Sequence, residues 1–209
     1  MFNQLRTYLQ ARESEFDQIS EERKRILGNI SNYIAKKLGG AEVAQLVYVC
    51  THNSRRSHFG QVWAQVAAHY YNVHAVKTFS GGTEATALHA NTAAALRRAG
   101  LEVNVVDESV NPGFEIYFDE QTAPIVCFSK TYDHELNPRQ NFAAIMTCSD
   151  AEENCPFIPG VDLRIAATYN DPKIADSTSQ QDHTYDERCA QIARECLWVM
   201  REVRKSNSM

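Results

Sequence analysis

No stretch of the 209 residues approaches the roughly 18 consecutive apolar residues of a membrane span. The first sixteen residues also lack the apolar core of a secretory signal, so the expected location is the cytoplasm, with no membrane partner. Strong charge of one sign is missing too. With 21 Lys and Arg against 26 Asp and Glu, the formal net charge of -5 gives no electrostatic reason to expect a nucleic-acid partner. The chain carries no Walker-type glycine loop, dinucleotide fingerprint, internal repeat or low-complexity tract, which removes the common nucleotide-binding motifs. The six cysteines, at positions 50, 127, 148, 155, 189 and 196, are too sparse for a secreted disulfide scaffold. None of them forms the short pair of a zinc site, so no metal ligand set is expected.

The content of 44% hydrophobic and 22% charged residues is that of a chain that folds, and its length suits one well-cored domain plus an appendage. Phe2, Leu5 and Leu9, and then Ile26, Ile30, Tyr33, Ile34 and Leu38, recur at helical spacing. Ser20 marks a helix start, and Gly39-Gly40 is expected to end the second helix in a left-handed conformation. Residues 1–43 thus read as a helical hairpin, a packing or homodimerisation element or a lid, ahead of a catalytic domain over 44–209. From there short β-branched runs alternate with helical stretches. Strands are expected at Leu46–Val49, Ala75–Phe79, Ile125–Phe128 and Ala143–Met146, and helices at Phe59–Tyr71, Ala85–Ala99 and Tyr185–Val203. The fold class is α/β, a four-stranded parallel sheet in a three-layer arrangement with helices on both faces. Ligands in such sheets bind beyond the carboxyl ends of the strands, where Cys50 lies.

Cys50-Thr51-His52-Asn53-Ser54-Arg55-Arg56-Ser57 is a cysteine, five residues, an arginine and a serine between a strand and a helix. Backbone N–H groups of such a turn, at the positive end of the helix, form a cradle for a tetrahedral oxyanion. Thr51, His52, Asn53, Ser54, Arg55, Arg56 and Ser57 are therefore the oxyanion-binding candidates, with the Arg56 fork able to take two oxygens. The same field favours the thiolate of Cys50, the nucleophile. Ser57 is placed to hydrogen-bond that thiolate and Asn53 to brace the loop. Arg55 either widens the positive field or is a solvated surface charge. His52 either aids binding or borders the pocket.

Val47 to Trp63 resembles the nucleophile segment of the low-molecular-weight tyrosine phosphatase superfamily, which includes the thioredoxin-coupled arsenate reductases. Phe79-Ser80-Gly81 resembles that family's second-strand motif, and the likeness runs from about Leu46 to Val203. It departs from the family at His52, where glycine is usual, and at Arg55, where a cysteine is usual. Asp171-Pro172, alone an ordinary turn signal, resembles the loop that supplies the family's general acid. Cys148 to Cys155 closely resembles the redox loop of the arsenate reductases. That likeness implies a relay in which Cys50 attacks arsenate, Cys148 releases arsenite, and Cys155 resolves the first disulfide for reduction by thioredoxin. The family's monovalent-cation pattern is partly kept at Asn53 and Ser80, but Gln61 stands where a glutamate is usual, and no other cofactor is expected. Cys127, Cys189 and Cys196 read as core.

The leading expectation is an arsenate reductase with residual phosphatase activity. The runner-up is a low-molecular-weight tyrosine phosphatase that keeps Cys148 and Cys155 to protect Cys50 from oxidation, with Tyr132 and Tyr169 as an aromatic rim. A non-catalytic oxyanion sensor that signals through the N-terminal hairpin is a third reading.

Overall fold

The computed structural model describes residues 1–154 and 158–206. Helices α1 (Asn3–Glu13) and α2 (Glu21–Gly39) come first, followed by β1 (Ala44–Cys50), α3 (Arg56–Tyr70), β2 (Val76–Gly82) and α4 (Ala90–Arg98). Three short strands follow, β3 (Glu102–Val105), β4 (Phe114–Tyr117) and β5 (Ile125–Cys127). The chain continues through β6 (Phe142–Met146), α5 (Ser149–Asn154), β7 (Val161–Ala166) and the long α6 (Gln181–Ser206).

Strands β2-β1-β6-β7 form, in that order, the four-stranded parallel sheet that the sequence leads one to expect, with one member different. Period-two alternation sorts its side chains. Leu46, Tyr48, Ala143, Ile145 and Ile165 face a large core shared with α1, α2, α3 and α6. Val47, Val49, Ala144 and Met146 face a smaller one that holds Cys50, Cys148 and Ala151 of α5. Gly60 lets α3 lie close to β1, because a Cβ there would fall 2.2 Å from the Tyr48 ring.

Two strand assignments change. Ile125–Phe128 does not enter the parallel sheet; β5 pairs antiparallel with β4, and β4 with β3, in a separate three-stranded sheet. The fourth parallel strand is instead β7. It is an edge strand with exposed Asp162 and Leu163, so it lacks the apolar run that marks a buried strand. Helix α4 also starts later than Ala85, because Thr86 is held by Ser129 Oγ and His52 O. The left-handed residue after α2 is Ala41 (φ 55°), while Gly40 has φ -86°. Ser20 caps α2 as expected, accepting from Arg23 N at 3.2 Å.

The two N-terminal helices pack on α6, with Leu5, Leu9, Leu27, Ile30 and Ile34 buried beside Ile192, Leu197 and Met200. Arg23 of α2 donates through Nε (3.0 Å) and Nη2 (2.8 Å) to Glu195 of α6, a carboxylate only 2% exposed. The hydroxyl of Tyr169 donates to the same oxygen at 2.8 Å. Removing one partner of a buried ion pair leaves the other charge uncompensated. Arg23→Met is therefore expected to lower the unfolding free energy in urea by about 3 kcal/mol, and the double variant with Glu195→Leu to recover most of it. Equal losses in the single and double variants would mean that the pair does not hold α2 to α6.

Candidate active site

β1 ends at Cys50 and α3 begins at Arg56, three residues before the start read from the sequence, so the whole motif forms one strand-to-helix turn. Its carbonyls point outward and are each engaged. Cys50 O accepts from Thr83 N (3.1 Å), Thr51 O from Glu84 N (2.8 Å), and His52 O from Ser129 Oγ (3.0 Å). Asn53 O meets His58 Nε2 at 2.8 Å, and Ser54 O accepts from His89 N at 3.0 Å. The N–H groups of Thr51 to Arg55 donate to no acceptor among the described residues. A turn with every carbonyl bound outside and its amides uncommitted can cradle a tetrahedral anion. Asn53 supplies the left-handed residue this curl needs (φ 43°). Gly82 is required beside it, since a Cβ there would fall 2.6 Å from Thr51 O and 2.7 Å from Asn53 N.

Cys50 is buried, with Sγ 3.0 Å from Ser57 Oγ. Ser57 Oγ accepts from Asn53 Nδ2 at 2.8 Å, so its own proton is free to point at the sulfur. Asn53 Oδ1 in turn accepts from Lys130 N at 2.9 Å. Arg56 is buried; Nη1 donates to Tyr169 O (2.9 Å) and Nη2 to Asp171 Oδ2 (2.6 Å). Those bonds use two of the five guanidinium N–H donors, and Nε is buried with no partner among the described residues. Arg56 thus holds Asp171 at the mouth of the loop and keeps donors in reserve. Asp171 is extended (φ -74°, ψ 122°) ahead of Pro172, and its Oδ1 accepts from Lys173 N at 3.0 Å.

The structure brings Cys148 to this site. It is buried in the same cluster as Cys50, with Sγ 3.5 Å from Thr51 Oγ1, and it accepts from Ala151 N at 3.4 Å. Thr147 N and Oγ1 both donate to Val49 O, fixing the end of β6 beside the end of β1. Cys155 lies outside the described residues. Cys127, Cys189 and Cys196 are buried elsewhere, and burial pushes each of their thiols up to about 12, as suits core packing.

The structure decides between the readings left open for Arg55 and His52 and changes that of Tyr169. Arg55 is not a solvated charge: its Nε donates to Tyr185 OH (2.5 Å) and its Nη2 to Asp176 Oδ2 (2.7 Å), tying the loop to the Asp171 segment. The His52 side chain is half exposed and points to Glu84, 3.8 Å away, so it borders the site. Tyr169 is buried under Arg23 and cannot form an aromatic rim. The oxygens proposed for a cation do not fit one. Ser80 Oγ donates to Gln61 Oε1 at 2.6 Å, Asn53 Oδ1 is taken by Lys130 N, and no carboxylate among the described residues is bonded to either. Sequence reasoning missed His58 and Lys130, because a lone histidine or lysine carries no motif.

No family model matches the chain. It is 26% identical over 144 residues to an arsenate reductase of Bacillus licheniformis, covering 68% of this chain and 84% of the relative. It is 24% identical over 143 residues to the arsenate reductase of Bacillus subtilis, with the same coverage. Its fold matches a low-molecular-weight phosphotyrosine phosphatase of Vibrio cholerae at a TM-score of 0.53 and 12% identity, over 79% of this chain and 99% of that one. The chain has the fold of that phosphatase and is similar in sequence to the two arsenate reductases.

His58 has a pH consequence. It is fully buried, and desolvation, reinforced by the charge of Lys130, pulls its imidazole down to about 3 from 6.5. The unfolded chain then binds a proton that the folded chain refuses between those values. The stability this implies is whole above about pH 6.5 and is lost as pH falls towards 3. Between pH 6.5 and 5 the unfolding free energy is expected to drop by about 2 kcal/mol from this residue, and His58→Gln to remove that part of the slope. Urea titrations at both pH values check it; identical slopes in the two proteins would refute it.

Proposed function

We propose that the chain is an arsenate reductase that works by a three-cysteine relay coupled to thioredoxin, with phosphomonoester hydrolysis as a residual activity of the same loop. The observation that carries this reading is the placement of a second buried thiol, Cys148, in the cluster that holds Cys50. A simple phosphatase has no use for it. The similarity to two proteins named arsenate reductase supports the same choice.

The Cys50 thiolate attacks the arsenic of arsenate held by the 51–56 amides and the Arg56 fork, and an oxygen leaves as water to give an S–As(V) bond. The Cys148 thiolate attacks Cys50 Sγ, forming the Cys50–Cys148 disulfide. The electron pair of the broken S–As bond stays on arsenic, which leaves as arsenite. Cys155 attacks Cys148 Sγ and frees Cys50, and the thioredoxin dithiol reduces the Cys148–Cys155 disulfide. In the hydrolytic side reaction, Asp171 protonates the leaving oxygen of a phosphoester. That role rests on its position against Arg56, which also favours the second reading, a phosphatase with protective cysteines. Residues 1–43 act in both readings as a packing extension that braces Tyr169 through Arg23 and Glu195.

Arsenite formation from arsenate with thioredoxin, thioredoxin reductase and NADPH is expected to fall at least about a hundredfold in each of Cys50→Ser, Cys148→Ser and Cys155→Ser. Asp171→Asn is expected to leave it nearly intact while slowing aryl-phosphate hydrolysis about a hundredfold or more. If no arsenite forms, and hydrolysis is lost in Cys50→Ser but kept in the other two cysteine variants, the protein is the phosphatase.

A further inference from the structure

A cavity of about 480 Å³ lies between α3, the outer strand β2 and the segment from Phe118 to Leu136. It contains none of the residues of the Cys50 loop. Its volume is in the range of small-molecule sites. The rings of Phe79, Phe118 and Phe128 form much of its wall, and exposed Val126 and Leu136 stand among its outer residues.

The ionisable side chains that line this cavity are all basic. Lys77, Lys130 and His69 line it, and no aspartate or glutamate does. Lys130 is 5% exposed. Its Nζ sits 4.7 Å from the Phe128 ring centroid and has no hydrogen bond or ion pair among the described residues. Thr122 Oγ1, which also lines the cavity, is buried with no partner among the described residues. An ammonium on a largely buried side chain without a counter-charge is costly, and an orphaned buried hydroxyl costs about 1–3 kcal/mol, so both atoms gain from an acceptor. One buried cation among aromatic walls asks for one negative charge on a flat apolar body.

We propose that this cavity is a second binding site, separate from the oxyanion loop, for an aromatic monocarboxylate whose carboxylate is held by Lys130 and Thr122 and whose ring packs against Phe79, Phe118 and Phe128. Lys77, exposed on β2, adds attraction on the open side. The site adjoins the loop at Lys130, whose backbone N donates to Asn53 Oδ1, while no hydrogen bond of its side chain reaches the loop among the described residues. The Lys130 side chain is therefore free to serve a different ligand.

Calorimetric titration of the full chain with 2-naphthoate, with the neutral isostere 2-naphthamide as control, tests the assignment. The carboxylate is expected to bind with one-to-one stoichiometry, at least about tenfold more tightly than the amide, and to be unaffected by excess inorganic phosphate. Lys130→Met is expected to weaken it about tenfold or more, and Lys77→Glu, at an exposed position that leaves the core untouched, severalfold. Absence of binding, equal affinity for acid and amide, or displacement by phosphate overturns the proposal. Unchanged affinity in Lys77→Glu and in a folded Lys130→Met does the same. If Lys130→Met does not fold, the acid-to-amide ratio and Lys77→Glu decide.

Discussion

The site depends on the outward turn of five consecutive carbonyls, Cys50 to Ser54. A peptide unit that presents its C=O to one side presents its N–H to the other, so binding those carbonyls outside aims the amides of the loop inward. The acceptors are met by unrelated parts of the chain: Thr83 and Glu84 after β2, His89 before α4, Ser129 after β5, and His58 within α3. The loop is thus shaped less by its own seven residues than by the segments packed around it. Gly81 and Gly82 are part of that packing, because a side chain at either would meet the backbone of Tyr132 or of the loop. An oxyanion site built this way is preorganised, and the donors do not have to be ordered when the anion arrives.

A second line of contacts carries this rigidity outward. Arg56 holds the carbonyl of Tyr169 and the carboxylate of Asp171, and the Tyr169 hydroxyl reaches Glu195, which Arg23 of the N-terminal helices clamps from the other side. Arg55 makes a parallel connection to Asp176 and Tyr185. The two arginines of the loop therefore anchor opposite ends of the segment from Tyr169 to Asp176. The two N-terminal helices join this path through Arg23.

The strand, the cysteine motif and the following helix were legible because each has a local signature: a β-branched run, a fixed spacing and a helical period. Cys148 could be singled out for the same reason, as a cysteine at the end of an apolar strand. What stayed hidden depends on tertiary partners. β7 has the mixed polarity of an edge strand, β5 has the apolar look of a sheet interior yet pairs in another sheet, and Tyr169 turns its ring into the core. The environment of Arg55 could not be read either, since Asp176 and Tyr185 lie over a hundred positions away in sequence.

The treatment of buried charge separates the two regions that flank β2. Among the described residues the buried ionic side chains are Arg56, Lys130 and Glu195, beside the neutral His58. Arg56 has Asp171 and Glu195 has Arg23, each within 3 Å, so both meet the usual condition for a buried ion. Lys130 has a ring face and no carboxylate, although the chain carries an excess of acidic residues. A ring face offsets roughly 2 kcal/mol, less than the several kcal/mol that desolvating an ammonium costs. Burial accordingly pulls its ammonium down from the ordinary lysine value. A neighbouring acid would have cancelled that cost and would also have repelled any anion. Leaving the cation unmatched is destabilising for the free protein, and it is the arrangement that an incoming carboxylate can turn into a paired, desolvated contact.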